Sequence, residues 1–354
     1  MTERNPGRVT LAEVAERAGV SASTASLAFS GRGPVSDLTR ERVMAAASEL
    51  NYAGPDPRGQ SLRRGTSGIV GVLIADRIGV SFRDPVLIQT LDGLADEIQK
   101  IGASLLLIPE LDRGTAAVAN APIDALVLLC VGTEASETAR TLGGRGVPVV
   151  QIEGPPSPEM TSVNLDNFGG GRLAAEHLAA LGHTRVATVT LSVDRHRVVA
   201  ALTPEREATG TVETMLERLR GAREVYPEIT GMIAGSSRVE AGRLAALRLL
   251  DVPAAERPTA IIAQSDLIAV GVITAAEELG LRVPADLSVV GFDGIRVDGF
   301  ERRLTTVWQP AHAKGQAAGR AVLALLEGDA RVVPAADFEV RFVLGDTTGP
   351  VPEV

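Results

Sequence analysis

Thirteen consecutive residues near the start of the chain have the types and spacing to lay a helix on nucleic acid: Val9-Thr10-Leu11-Ala12-Glu13-Val14-Ala15-Glu16-Arg17-Ala18-Gly19-Val20-Ser21. Thr10 can cap a helix, with Glu13 three residues on to complete a capping box. Gly19 stops that helix and Ser21 caps a second. This is the spacing of a helix-turn-helix, whose second helix lies in the major groove, although any helical hairpin shares it. Residues for catalysis are not arranged to act. The chain holds no G-x-x-x-x-G-K-[ST] cradle, no G-x-G-x-x-G after its first strand and no G-x-S-x-G elbow. His177, His183, His196 and His312 lack metal-ligand spacing, so surface or core roles are expected and no metal. Cys130, alone in an apolar run, reads as a small core residue in a protein of a reducing compartment, the cytoplasm. No catalytic residue and no cofactor is expected.

The elements that must carry these residues fall into two textures. At 354 residues the chain exceeds one ordinary domain. Its longest apolar run, Ala125–Val131, is too short to cross a bilayer, so no membrane partner is expected. The net charge of −9 is uneven: residues 1–66 hold nine arginines against seven acids, which leaves the excess acid in the remainder. A basic head suggests phosphate, and an acidic body some other partner. The spacing predicts three helices in the head, from Thr10, from Ser21 to about Ala28, and from Asp37 to about Leu50. Residues 53–66, rich in Pro, Gly and Arg, read as a linker. From Gly68 onward, strand-length apolar runs alternate with amphipathic stretches, the last run being Phe338–Leu344. Near-continuous hydrophobic strands between helices mean parallel sheets covered on both faces, and the length of this part predicts two α/β subdomains. Gly169-Gly170-Gly171 is read as close packing at a helix start.

The head segment, with Val35-Ser36, Thr39-Arg40-Glu41-Arg42-Val43 and Glu49-Leu50-Asn51-Tyr52 after it, resembles the N-terminal signature of the LacI/GalR (lactose-repressor) family of transcription factors. The resemblance runs the length of the chain. It continues through Arg63-Arg64-Gly65-Thr66, Val163-Asn164-Leu165-Asp166-Asn167, Leu181-Gly182-His183, Ala263-Gln264-Ser265-Asp266, Leu287-Ser288-Val289-Val290-Gly291-Phe292-Asp293 and Leu304-Thr305-Thr306-Val307. It implies an α/β protein with a lambda-repressor-like helix-turn-helix head and a type I periplasmic-binding-protein-like core of two subdomains. The expected boundaries are 1–52 for the head, 53–67 for a hinge and 68–354 for the core. Within the core, 68–165 with 309–330 would form one subdomain and 166–308 with 331–350 the other. Crossings are expected near Ser162–Asp166, Phe292–Ile295 and Leu304–Gln309.

The resemblance further implies a cytoplasmic regulator, most simply a repressor, that binds double-stranded operator DNA as a homodimer or tetramer under a small-molecule effector such as a sugar. Ala22, Ser23 and Leu27 stand where the family contacts bases, and Thr10, Ser21, Thr24, Ser26, Ser30, Ser36 and Thr39 where it touches phosphate or packs the turn. Pro57–Leu62 matches a hinge helix that folds on DNA, with Leu62 as the residue wedged into the minor groove and Gly59 lowering helix propensity. Asp84, Asp166, Arg218, Ser265 and Asp293 fall on or near effector positions. Two departures stand out. Leu27 replaces the usual arginine, so guanine cannot be gripped there by two hydrogen bonds. Aromatics are only 3% of the chain, leaving Phe82, Phe168 and Trp308 as the rings that could stack on a ligand. Alternative readings are a small-molecule receptor with a vestigial head, a regulator with a degenerate pocket, and an enzyme on the same scaffold, the last disfavoured by the missing motifs.

Overall fold

The computed structural model describes residues 9–31, 33–54, 65–75, 77–109, 114–130, 132, 141–155, 157–158, 160–194, 197–328, 334 and 336–352. They fall into two units, Met1–Ser67 and Gly68–Val354. The expected hinge helix at Pro57–Leu62, with Gly59 and the Leu62 wedge, lies outside the described residues, as does His196.

In the head, α1 (Leu11–Ala18) begins where Thr10 and Glu13 satisfy each other's backbone amides: the Glu13 amide donates to Thr10 Oγ1 (3.3 Å) and the Thr10 amide to Glu13 Oε2 (2.6 Å). Gly19 ends it in the left-handed conformation, at φ 65°. Helix α2 (Ala22–Ser30) is capped by Ser21 and α3 (Asp37–Glu49) by Ser36. Their shared core is built of small residues, Val14, Ala15, Ala18, Ala25, Ala28, Val43, Ala46 and Ala47, which lets three short helices approach closely. Two arginines of α3 clamp the bundle by donating to carbonyls at the ends of the other helices, Arg42 to Ala18 (2.5 Å) and Arg40 to Ala28 (3.4 Å).

The second unit holds two sheets. In the first, the order is β12-β5-β4-β3-β1-β2, all parallel: β1 (Ile69–Ile74), β2 (Ser104–Pro109), β3 (Ala125–Leu129), β4 (Val149–Ile152), β5 (Thr161–Leu165) and β12 (Ala336–Phe338). In the second, the order is β13-β11-β10-β9-β6-β8-β7, with β6 (Val186–Thr190), β7 (Ala200–Leu202), β8 (Thr230–Ile233), β9 (Ala260–Ala263), β10 (Ser288–Asp293), β11 (Thr305–Trp308) and β13 (Arg341–Val343). Only the edge strands β7 and β13 pair antiparallel. Helices α4 (Ile78–Ser81), α5 (Pro85–Ile98), α6 (Gly114–Asn120) and α12 (Ala311–Glu327) go with the first sheet. Helices α7 (Asn167–Ala180), α8 (Pro204–Ala208), α9 (Glu213–Arg223), α10 (Val239–Leu250) and α11 (Asp266–Glu278) go with the second. Each sheet and its helices form one lobe. No described helix is long and apolar enough to cross a membrane.

Two expectations are corrected. The chain does not change lobes near Phe292–Ile295, because β10 and β11 are parallel neighbours in one sheet (Val290 opposite Thr305). The crossings follow β5 at Leu165, follow β11 at Trp308, and lie between β12 and β13. The run Phe338–Leu344 is thus not one strand. Ala336–Phe338 pairs with Val163–Leu165 in the first lobe, so residues 331–350 do not all belong to the second, and Arg341–Val343 pairs with β11.

The head's entry helix rests on one cap. Thr10→Ala should destabilise α1 by about 1 kcal/mol. Hydrogen exchange at the Val14–Ala18 amides should therefore speed up roughly fivefold, with Thr10→Ser restoring protection; unchanged exchange would show that tertiary packing alone holds α1.

Candidate functional site

On α2 the buried residues are Ala25 and Ala28, which turns Ala22, Ser23, Leu27 and Ser30 to solvent, with Thr24 and Ser26 half-buried. Leu27, 39% exposed, faces away from the head's core and lies over Gly33. Thr10, Ser21 and Ser36 are exposed at helix N-termini. Ser21 Oγ accepts from the Thr24 amide (3.1 Å) and meets the Thr24 hydroxyl (2.8 Å), while Ser36 Oγ does the same with Thr39. The three arginines described in the head are engaged internally: Arg17 pairs with Glu49 at 2.6 Å, and Arg40 and Arg42 clamp the helices. Arg4, Arg8, Arg32, Arg58, Arg63 and Arg64 lie outside the described residues. Among the described residues this exposed face offers hydroxyls, capped helix N-termini and two leucines, Leu27 and Leu38, a surface suited to phosphate oxygens and apolar base edges.

Between the two lobes lies a cavity of about 540 Å³. Strands of both sheets end on it: Ile74 on β1 with Ala75 after it, Cys130 after β3, Glu153 after β4, Ser192 after β6, Ser265 after β9, Asp293 on β10 and Gln309 after β11. That is where parallel α/β sheets bind ligands. Among described non-glycine residues, five have positive φ: Asn51, Cys130, Glu153, Arg197 and Asp293. Four of these line the cavity, a concentration of backbone strain typical of functional sites.

The cavity brings together Asp84, Arg218, Ser265 and Asp293, but not Asp166. Asp166 instead caps α7, its carboxylate accepting from the Gly169 amide (2.7 Å). Asp84 caps α5 and Ser265 caps α11 while each also faces the cavity. Arg218 is placed by close helix packing. A Cβ on Gly171 would sit 2.0 Å from the Arg218 carbonyl oxygen, and one on Gly221 would sit 1.9 Å from that of Phe168, so α7 and α9 meet backbone to backbone. The guanidinium stacks 3.5 Å from the centroid of the Phe292 ring, donates to the Gln264 carbonyl (2.5 Å) and to Asn167 Oδ1 (2.8 Å), and lies 3.9 Å from Asp293. None of Phe82, Phe168 and Trp308 lines the cavity, nor does any other described aromatic residue.

The electrostatics follow from burial. Burial pushes the Asp293 carboxyl well above the usual carboxylate range, with Arg218 opposing it and Asp266 adding to it. Burial likewise raises Asp266 to about 7 despite hydrogen bonds from Thr306 and the Ile295 amide. Burial raises the Cys130 thiol to about 12, which makes it an inert lining group. At Glu153 burial acts upward too, but the charges of Lys314 and Arg218 outweigh it and hold the carboxyl below its ordinary value.

Several cavity residues are not evident from the sequence: Thr214, Glu153, Lys314, Gln309 and Arg197. Thr214 precedes Arg218 by one turn of α9, and that spacing is the signal that could have found it. Its Oγ1 is the buried side-chain polar atom that lacks a hydrogen-bond partner among the described residues. Arg197 reaches from the second lobe to the Ala75 carbonyl of the first.

Residues 10–54 match the family model of bacterial regulatory proteins of the lacI family, and residues 175–348 match a periplasmic binding protein-like domain. An HTH-type transcriptional regulator of Mycobacterium tuberculosis is 32% identical over 355 residues, covering 97% of this chain and 98% of that protein. Among solved structures, the lac repressor dimer bound to operator and an anti-inducer is similar with a TM-score of 0.74 and 26% identity, over 97% of this chain and all of that one. A complex of the regulator CelR with cellobiose aligns with a TM-score of 0.65 and 25% identity, over 96% and 100%.

A buried hydroxyl without a protein partner costs stability. Thr214→Val keeps the shape and removes it, so the ligand-free protein should gain about 1 kcal/mol or more, a rise of about 2 °C in Tm. A lower Tm would mean that the hydroxyl is already satisfied.

Proposed function

The chain belongs to the LacI family of bacterial regulatory proteins, and from that membership we propose how its two units divide the work of a ligand-modulated, DNA-binding transcriptional regulator. It acts as a cytoplasmic repressor and homodimer. The second helix of each head enters the major groove of one half-site, with Ala22, Ser23 and Leu27 toward the bases. Thr10, Ser21, Thr24, Ser26, Ser30, Ser36 and Thr39 lie along the phosphates, and Leu62 wedges the centre of the site. A sugar or related polyol binds in the cavity at Asp84, Thr214, Arg218, Ser265 and Asp293. Asp166 is left out of the effector contacts because, unlike the capping residues Asp84 and Ser265, it does not line the cavity. No catalytic step is assigned to this cavity.

The observation that carries this reading is the pairing of an exposed, hydroxyl-bearing α2 in one unit with a two-lobed cavity in the other. In that cavity an arginine of α9 and a carboxylate at the end of β10 are held side by side. A carboxylate can accept from two ligand hydroxyls and a guanidinium can donate to others, which suits a polyhydroxylated molecule.

Because Leu27 has no donor, the base it faces is read by methyl contact or exclusion, with a preference of about 1 kcal/mol against about 1–3 for a bidentate pair. Selection from random DNA should yield a near-palindromic site, and repetition with a metabolite panel that includes cellobiose and ribose should change its recovery. Leu27→Arg should add a guanine preference at one symmetric position in each half-site. No enriched sequence would leave the receptor reading with a vestigial head, and an unaltered Leu27→Arg profile would remove Leu27 from the base contacts.

A further inference from the structure

Two lysines occur in the whole chain, and one of them, Lys314, is 1% exposed on the first turn of α12. A buried ammonium requires a counter-charge and further acceptors. Lys314 Nζ donates to Glu153 Oε1 and to Gln309 Oε1. Glu153 Oε2 in turn accepts from Asn167 Nδ2 at 2.9 Å, and Asn167 Oδ1 accepts from Arg218 Nε at 2.8 Å. On the other side, Gln309 Nε2 donates to Asp293 Oδ1 at 2.6 Å, and that oxygen lies 3.9 Å from Arg218 Nη1. The contacts close on themselves as Arg218, Asn167, Glu153, Lys314, Gln309, Asp293 and back to Arg218. All six side chains are less than a tenth exposed, and all but Asn167 line the cavity.

The membership of this ring follows the architecture. Glu153 and Lys314 belong to the first lobe, after β4 and on α12; Arg218 and Asp293 belong to the second, on α9 and β10. The two links between these pairs, Asn167 and Gln309, stand on the chain crossings that join the lobes after β5 and β11. A change in the angle between the lobes must therefore move Asn167 and Gln309, and with them the hydrogen bonds that orient Arg218 and Asp293. Lys314 and Glu153 form an ion pair with both side chains buried, so opening the ring there leaves desolvated charge behind.

We propose that Glu153 and Lys314 are positioning residues that lock the angle between the lobes and, through Gln309 and Asn167, connect that angle to the effector-contacting pair Arg218 and Asp293. The inference rests on the reading of Arg218 and Asp293 as effector contacts, but its test needs neither effector nor DNA. Failure of the ring and failure of the regulator reading are therefore distinguishable.

Cys130 is half-buried in the cavity wall, so it is replaced by alanine in every chain tested, and spin labels are attached to cysteines introduced at two exposed sites, Ile101→Cys in the first lobe and Leu244→Cys in the second. Pulsed electron-electron distance measurement on the full chain should give a narrow interlobe distribution. Glu153→Gln combined with Lys314→Met removes both charges together, and in a chain that still melts cooperatively it should at least double the width. Gln309→Leu, neutral and close in volume, cuts only the link between Asp293 and Lys314 and should broaden the distribution by a smaller amount. A folded double variant as narrow as the parent overturns the proposal, because the pair then only fills space. Should the double variant fail to fold, Gln309→Leu decides alone, and a parental width there overturns the connection to the effector contacts.

Discussion

A guanidinium taken out of water must have every side of its charge answered, and much of this cavity is arranged to answer Arg218. Its face is covered by the Phe292 ring, its edge by the Gln264 carbonyl and Asn167, and its charge by Asp293. Each partner imposes a further demand. Asn167 must open α7, which needs Asp166 as its cap. Asp293 must end β10 at φ 123°, a conformation held by the Gln309 and Arg218 contacts. The glycine contacts between α7 and α9 exist at the one place where Arg218 needs its backbone pressed close. Removing a single partner would leave a buried polar or charged group unanswered, a larger loss than surface ion pairs such as Arg282 with Asp286 return.

The two units handle charge in opposite ways. In the head the described arginines stay at or near the surface, Arg17 paired with Glu49 and Arg40 and Arg42 donating to helix C-termini, beside a face of hydroxyls and helix N-termini. In the core the charged groups are buried at the junction of two lobes, where low polarity makes each contact stronger and each misplacement more costly. The head is thus suited to a large, wet, negatively charged partner, and the core to a small one that enters between the lobes.

How much of this is legible in the sequence depends on the range of the interaction. The Thr10–Glu13 capping box, the Gly19 stop and the Ser21 and Ser36 caps are local, and the sequence spacing locates them. Interior parallel strands such as Ala125–Leu129, buried at every position, show as continuous apolar runs. Strands β5 (TSVNL) and β11 (TTVW) carry too many polar residues for that signal, and β7 has only three residues. The break between β12 and β13 is invisible because Phe338–Leu344 is one apolar-rich stretch whose two ends find partners in different lobes. In the cavity, Ser265 and Asp293 stand in blocks that carry the family resemblance, and Asp84 and Arg218 fall on or near the family's effector positions. Glu153 and Lys314 do neither, since each reads as an ordinary surface charge until the fold brings together residues 161 positions apart.

In a ligand-modulated regulator, one ligand in the core and one operator at the head act on a single equilibrium. Two isothermal titrations test it most directly: the selected operator into protein with and without the effector that alters recovery, and that effector into protein with and without operator. The two affinity ratios should be equal and differ from one, because coupling between two sites is reciprocal. Ratios of one in both titrations, with both ligands bound, would show that the cavity and the head share a chain without sharing an equilibrium.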